Sequence, residues 1–203
     1  MDNELRSYER YLRHLAETDS TDIISNGGKR HAALLYSALL DYTKNEVRIF
    51  CQNGASEVWH DPVFEKAMTK FFERDSQSSL KVLTAGEPAL DSKWTDRKNV
   101  TAFHIRESDK EKIYDHFRNN RCNFAVFDSK RYRYEYDCDD FKAYGSFNDP
   151  KIAAEMIELF DDAFANAQTS DASPLSDTMP YTLTDSNVTI DSYQATAATG
   201  NEA

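Results

Sequence analysis

At 203 residues, with 40% hydrophobic and 12% aromatic side chains, the chain can build one domain of ordinary size plus an appended segment. Its formal net charge of −11 argues against a protein that coats nucleic acid or an anionic membrane nonspecifically. Cys51, Cys122 and Cys138 are odd in number and lack C-x-x-C spacing, which excludes a disulfide framework or a zinc site and leaves reduced, buried thiols as the expectation. Leu5, Tyr8, Leu12 and Leu15 recur every three or four residues, which predicts an amphipathic helix over 2–17. That segment is charged throughout, and no stretch approaches the roughly 18 apolar residues that cross a bilayer, so a soluble cytoplasmic protein with no membrane partner is expected.

Thr18–Lys29 is turn-rich and ends in Asn26-Gly27-Gly28. A second helix is predicted over 30–42 on Ala33, Leu34, Ala38 and Leu39, and the run Glu46–Cys51 reads as the first strand. Asp61-Pro62 marks a helix start, Asp as cap and Pro in the first turn, and the helix runs to about Arg74. Strands follow at Leu80–Thr84 and Val100–Ile105, separated by a Pro/Gly loop. Ser108 and Glu111 have the spacing of a capping box, predicting a helix over 109–119. Strands at Asn123–Phe127 and Arg131–Tyr136 come next, and Pro150 opens a last helix through Ile152, Met156, Leu159, Phe160 and Phe164. Strands separated by helices of this length argue for a layered α/β domain.

From Gln168 the composition turns to Ser, Thr, Asp, Ala and Asn, with five acidic residues and no Lys or Arg; residues 1–167 keep a charge of −6, so a local basic patch stays open. Such a tail buries too little apolar surface to offset its ordering entropy, and disorder is expected. Asn187–Tyr193 departs from this by alternating apolar and polar residues, a pattern that can add a strand to an exposed sheet edge.

The stretch 121–148 carries the motif. It holds a hydrophobic strand ending in Asp128, a short turn, a second strand, then Gly145-Ser146-Phe147-Asn148. This layout resembles the phospholipase D-like superfamily, whose catalytic strand carries H-x-K-x-x-x-x-D followed by a G-S-x-N element. Aligned on Asp128, the family's Lys position falls on Asn123 and its His position on Arg121, while Gly145, Ser146 and Asn148 fit the second element. The resemblance implies a mixed β-sheet between helical layers over roughly His31–Ala167. With no internal repeat, it implies a single-motif half that pairs as a homodimer. It also implies lost chemistry. The nucleophile must be an imidazole unprotonated near neutrality, whereas a guanidinium stays charged and Asn123 brings no charge to phosphorus.

The division expected is therefore an N-terminal helix and linker over 1–27, an α/β domain over 28–167 and an acidic tail over 168–203. The function it points to is a non-catalytic binding or assembly module, accessory to nucleic-acid-processing or defence-type machinery. The candidate ligand-binding residues are Arg121, Asn123, Asp128, Lys130, Ser146 and Asn148, with Arg121, Asn123, Ser146 and Asn148 expected to line one surface. No cofactor and no metal are implied. The alternative is a residual phosphodiesterase or nuclease using His104 with Asp128 or Glu135; a third reading is an acidic interaction protein that binds a protein partner through residues 168–203. Nucleic acid is a further candidate partner, disfavoured by the net charge.

The residues also admit plainer readings. Asp128 before Ser-Lys suits a strand end, and Asn148 or Asp149 can cap the helix at Pro150 while leaving backbone N–H groups for an anion. Period two puts Arg131, Arg133, Glu135 and Asp137 on one face of their strand and Tyr132, Tyr134 and Tyr136 on the other. A tyrosine stripe stacks nucleobases or lies under a helix or at an interface, and Glu135 and Asp137 would repel phosphate.

Overall fold

The computed structural model of the chain describes residues 3–52, 57–75, 77–86, 94, 96–118 and 121–169. The acidic segment expected to be disordered lies, from 170 onward, outside the described residues, as does the alternating stretch Asn187–Tyr193. Helix α1 (Asn3–Glu17) buries Leu12, Leu15 and Ala16 on the face that the sequence pattern selects. A three-residue strand β1 (Ile24–Asn26) follows, then α2 (Lys29–Asp41), β2 (Glu46–Cys51) and α3 (Pro62–Arg74). Asp61 caps α3 as expected, its Oδ1 accepting from the Val63 N–H at 2.9 Å. Strands β3 (Ser79–Thr84) and β4 (Val100–His104) lead to α4 (Glu107–His116), β5 (Asn123–Phe127), β6 (Arg131–Asp137), β7 (Lys142–Ser146) and α5 (Pro150–Thr169).

The strands form one seven-stranded mixed sheet in the order β1-β7-β6-β5-β2-β3-β4. β2, β3 and β4 run parallel, and β5, β6, β7 and β1 each lie antiparallel to their neighbours. Helices α1, α2 and α3 cover one face over Val47, Ile49, Ala125 and Phe127; α4 and α5 cover the other over Phe50, Phe124 and Val126. The two apolar sets alternate along β2 and β5, so both faces are buried, as the short continuous apolar runs anticipate. This is the layered α/β architecture expected. No helix among the described residues is long and apolar enough to cross a membrane.

Three local expectations need correction. β1 and β7 are strands where a turn-rich segment and a Gly-Ser junction were predicted; each is too short to show a period, and pairing defines them, β1 against β7 with Ile24 opposite Gly145, and β7 also against β6. A Cβ on Gly145 would meet the Tyr132 carbonyl at 2.9 Å and Leu35 at 3.4 Å, so the glycine permits close approach of β6 and α2. Helix α4 begins before the predicted capping box: Arg106 is the N-cap and its guanidinium reaches Asp109 (Nε–Oδ2 2.7 Å), leaving Ser108 out. The last helix continues through Gln168 and Thr169, beyond the expected start of the tail.

Polar clamps fix the α4–α5 layer. Arg48 on β2 grips Asp161 of α5 through two bonds of 2.8 and 3.0 Å. The Asp109 side chain, 1% exposed, accepts from Arg106, Lys112 (3.1 Å) and Asn166 of α5 (3.2 Å). Burial raises the Asp109 pKa, but the bonds from Arg106 and Lys112 outweigh it and hold the carboxyl below its ordinary 3.8. A depressed carboxylate stabilises the fold fully above its unfolded pKa, and that contribution is lost as pH falls through the folded value. Asp109→Asn should therefore lower stability by about 1–3 kcal/mol at pH 7. Urea melts should show the difference from wild type shrinking as pH falls below the ordinary 3.8 toward the depressed value of the folded carboxyl.

Candidate functional site

Strand register gathers polar side chains into one row. His104 lies opposite Thr84, Thr84 opposite Cys51, and one residue past the Phe50–Phe124 pair Cys51 meets Asn123, which lies opposite Glu135. This row crosses the sheet at the C-terminal ends of the parallel strands, where open α/β sheets place ligand groups. The side chains share the face covered by α1–α3, because Cys51 continues the Val47–Ile49 series and Asn123 the Ala125–Phe127 series.

At the centre of the row the polar groups are locked to one another. The Asn123 amide donates to Glu135 Oε1 at 2.5 Å and its Oδ1 accepts from the Gln52 N–H at 2.8 Å. Glu135 pairs with Arg133 at 2.7 Å, and the two side chains are 3% and 1% exposed. The Arg133 guanidinium lies 4.8 Å over the Tyr36 ring of α2 and donates to the Phe141 carbonyl at 3.3 Å. Phe141 takes the left-handed conformation (φ 55), and the same carbonyl accepts from Asn26 of β1 at 2.8 Å. One backbone oxygen thus links β1, β6 and the β6–β7 turn.

The electrostatics follow from burial and this ion pair. Burial disfavours charged Arg133, but Tyr36 and Glu135 more than offset it and hold the guanidinium above its ordinary value. Burial pushes the Tyr36 hydroxyl up to about 12. Burial, with Glu135 adding to it, pushes the Cys51 thiol far up and Cys138 to about 12; Cys122 rises to about 12 through burial, then Cys138, then Glu135. None of the three thiols is a thiolate nucleophile near neutrality. Tyr8 Oη, Asn26 Oδ1, Gln52 Nε2, Thr84 Oγ1 and Arg133 Nε are buried without a hydrogen-bond partner, so the face retains unused polar capacity.

The predicted site residues do not line one surface. Asn123 and Glu135 meet, with Arg121 just before them at the start of β5. Ser146 pairs with Tyr132, three residues, or about 10 Å, along the strands from the Glu135–Ala143 pair, and on the opposite face. Asp128, Lys130 and Asn148 stand at that far end and serve the scaffold. Asp128 (φ 55) accepts from the N–H groups of Lys44, Asn45 and Glu46 at 3.0, 2.8 and 3.2 Å. Lys130 pairs with Asp19, and Asn148 donates to the Asp19 carbonyl at 3.1 Å. Asp149 rather than Asn148 caps α5, accepting from Ile152 at 3.1 Å. His104 is exposed on the edge strand, four strand spacings or about 19 Å from Glu135, and farther still from Asp128. The pairing of His104 with either carboxylate is therefore not formed. Among the described residues no group of three His, Cys, Asp or Glu could hold a metal ion.

The alternation on β6 is as expected, yet its orientation is the reverse of a solvated strand: Arg131, Arg133 and Glu135 are buried, while Tyr134 and Tyr136 are partly exposed. Tyr8 and Gln52 had no sequence signal for a place in this site. Thr84 and Cys51 could have been found by extending the His104 row across the parallel strands.

No family model matches the sequence, and no curated protein matches it. Solved structures with a similar fold include TrmBL2, an archaeal chromatin protein with a novel mode of DNA binding, at 12% identity and a TM-score of 0.50, covering 80% of this chain and 60% of that one. The chain thus spans about 60% of TrmBL2's length. NucT from Helicobacter pylori matches at 8% identity and TM-score 0.48 over 72% of this chain and 98% of that one. Phosphatidylserine synthase from Haemophilus influenzae Rd KW20 matches at 6% and 0.44, over 76% and 39%.

Removing one member of the buried pair should be costly. Arg133→Met leaves Glu135 charged and unpaired, with an expected loss of about 3–5 kcal/mol; adding Glu135→Leu should restore most of it, since an apolar pair of similar volume is often neutral. A double-mutant cycle by urea denaturation checks this, and additive losses would show that the two charges are not coupled.

Proposed function

We propose that this chain is a catalytically silent domain of the phospholipase D-like type that works by binding and assembly. The observation that carries the reading is the Asn123–Glu135–Arg133 cluster. Where the motif resemblance puts a phosphate-binding lysine, the chain holds a neutral amide committed to a carboxylate and a backbone N–H. A phosphoryl group there would meet Glu135, whose charge is already matched by Arg133, and the candidate nucleophile His104 lies four strand spacings away. Arg121, exposed and two residues before Asn123, is the cation left for an anionic ligand.

The fold shared with TrmBL2, which binds DNA, supports a place beside nucleic-acid machinery as an accessory subunit; this step rests on fold analogy. The net charge of −11 favours a protein partner, or a second copy in a homodimer, over direct coating of nucleic acid. The residual-phosphodiesterase reading relies on His104, and its distance from both candidate carboxylates counts against it.

The full chain should give no turnover above buffer with bis(p-nitrophenyl) phosphate or single-stranded DNA, and light scattering should report about 47 kDa, twice the 23.3 kDa chain. Turnover that His104→Ala abolishes would overturn the silent-domain reading. A monomeric mass at all concentrations would remove its homodimer component.

A further inference from the structure

The two helical layers do not cover the sheet equally. Helix α5 packs over β6, β5, β2 and β4, and its layer stops before β7 and β1. The second face of the sheet is left open there as a groove of about 290 Å³, walled by Ile23, Tyr132, Tyr134 and Tyr144 on one side and by Phe117, Ile152 and Met156 on the other. The lining is almost wholly apolar. Ile23 is 67% and Tyr144 44% exposed, two of the three large hydrophobic side chains exposed among the described residues. The groove runs beside β1, the terminal strand of the sheet, whose outer edge no described strand pairs. An open edge beside an apolar trough is the arrangement that accepts an added strand.

We infer that the groove is the docking site of the chain's own segment Asn187–Tyr193, which adds a strand along β1 and turns Val188 and Ile190 onto Ile23 and Tyr144. The alternation of that segment suits strand addition, since Val188 and Ile190 share one face while Asn187, Thr189 and Asp191 share the other. Length suits it as well. Helix α5 carries the chain about 20–26 Å from Met156 and Ile152 to Thr169. The 17 residues between Thr169 and Asn187 can span at most about 56 Å, more than the distance back to the groove. A tether long enough to cover its span holds the segment at an effective concentration in the millimolar range. Seven residues of weak affinity then suffice.

Other occupants fit less well. A nucleic-acid strand stacking on the tyrosines would run beside α5, whose Glu155 lies one turn from Ile152 and repels phosphate. A second copy in the groove would make the protection depend on protein concentration, which separates it from the chain's own segment. The inference is independent of whether the polar face binds an anion.

Amide hydrogen exchange on the full chain tests it, comparing wild type with the full-length Val188→Asp/Ile190→Asp double variant at two protein concentrations tenfold apart. Docking predicts that amides over 23–26 and 187–193 exchange about threefold to tenfold faster in the variant, with the rest of the domain unchanged and no concentration dependence. Free-coil exchange of 187–193 in the wild type would overturn the inference. So would protection at 23–26 that survives the double variant and grows with concentration, which would assign the groove to a second copy. Protection that appears only on adding single-stranded DNA would assign it to nucleic acid.

Discussion

The buried Arg133–Glu135 pair is the interaction on which the rest of this structure depends. Two opposite charges, almost wholly removed from water, sit on the sheet face beneath α2. Such a pair contributes little net stability relative to well-packed apolar residues, because desolvation offsets most of the attraction. What it contributes is specificity. Each charge is tolerated only if the other, the Tyr36 ring, the Asn123 amide and the Phe141 carbonyl stand where they do. Those groups belong to α2, β5, β6 and the β6–β7 turn, so satisfying one ion pair positions four parts of the fold.

The same pair explains why a recognisable motif is chemically silent in the proposed reading. Two of the three residues that the resemblance aligns with catalytic groups, Asn123 and Asp128, are ones that β-sheet geometry has put to structural use. Asn123 is held from both sides. Asp128 terminates β5 by accepting three backbone N–H groups at the start of β2, which any carboxylate in the left-handed conformation at that position would do. Ser146 and Asn148 belong to the far end of β7. A set of residues contiguous in an alignment is split here over two strand ends and two faces.

Helical coverage has a corresponding consequence on the opposite face. Tyr132, Tyr134 and Tyr136 must lie opposite Arg131, Arg133 and Glu135 by period two, and with the charged side buried the tyrosines are turned toward α5 and solvent. Because α5 ends its coverage at β6, the aromatic surface extends past the helix and is rimmed by β7 and β1. Burying charge beneath one layer and leaving tyrosine open beside the other are one event seen from two sides.

Much of the architecture was legible in the chain itself: the amphipathic period of α1, the Asp61-Pro62 start of α3, the apolar run of β2, and the α/β alternation that fixes the class. These are local signals, carried by period and capping chemistry within a few residues. β1 was not legible, because three residues of mixed polarity acquire strand character only from pairing with β7 across about 120 positions, and β7, five residues long, from pairing with β1 and β6. Nor was the side of β6 that meets the core, since strand period says which residues share a face and nothing about which face is covered. Register made the remaining decisions. It brought Asn123 to Glu135, carried Ser146 to the other end and stranded His104 at the edge, because hydrogen-bonded pairing between distant segments is a property of the assembled sheet and of no stretch of sequence.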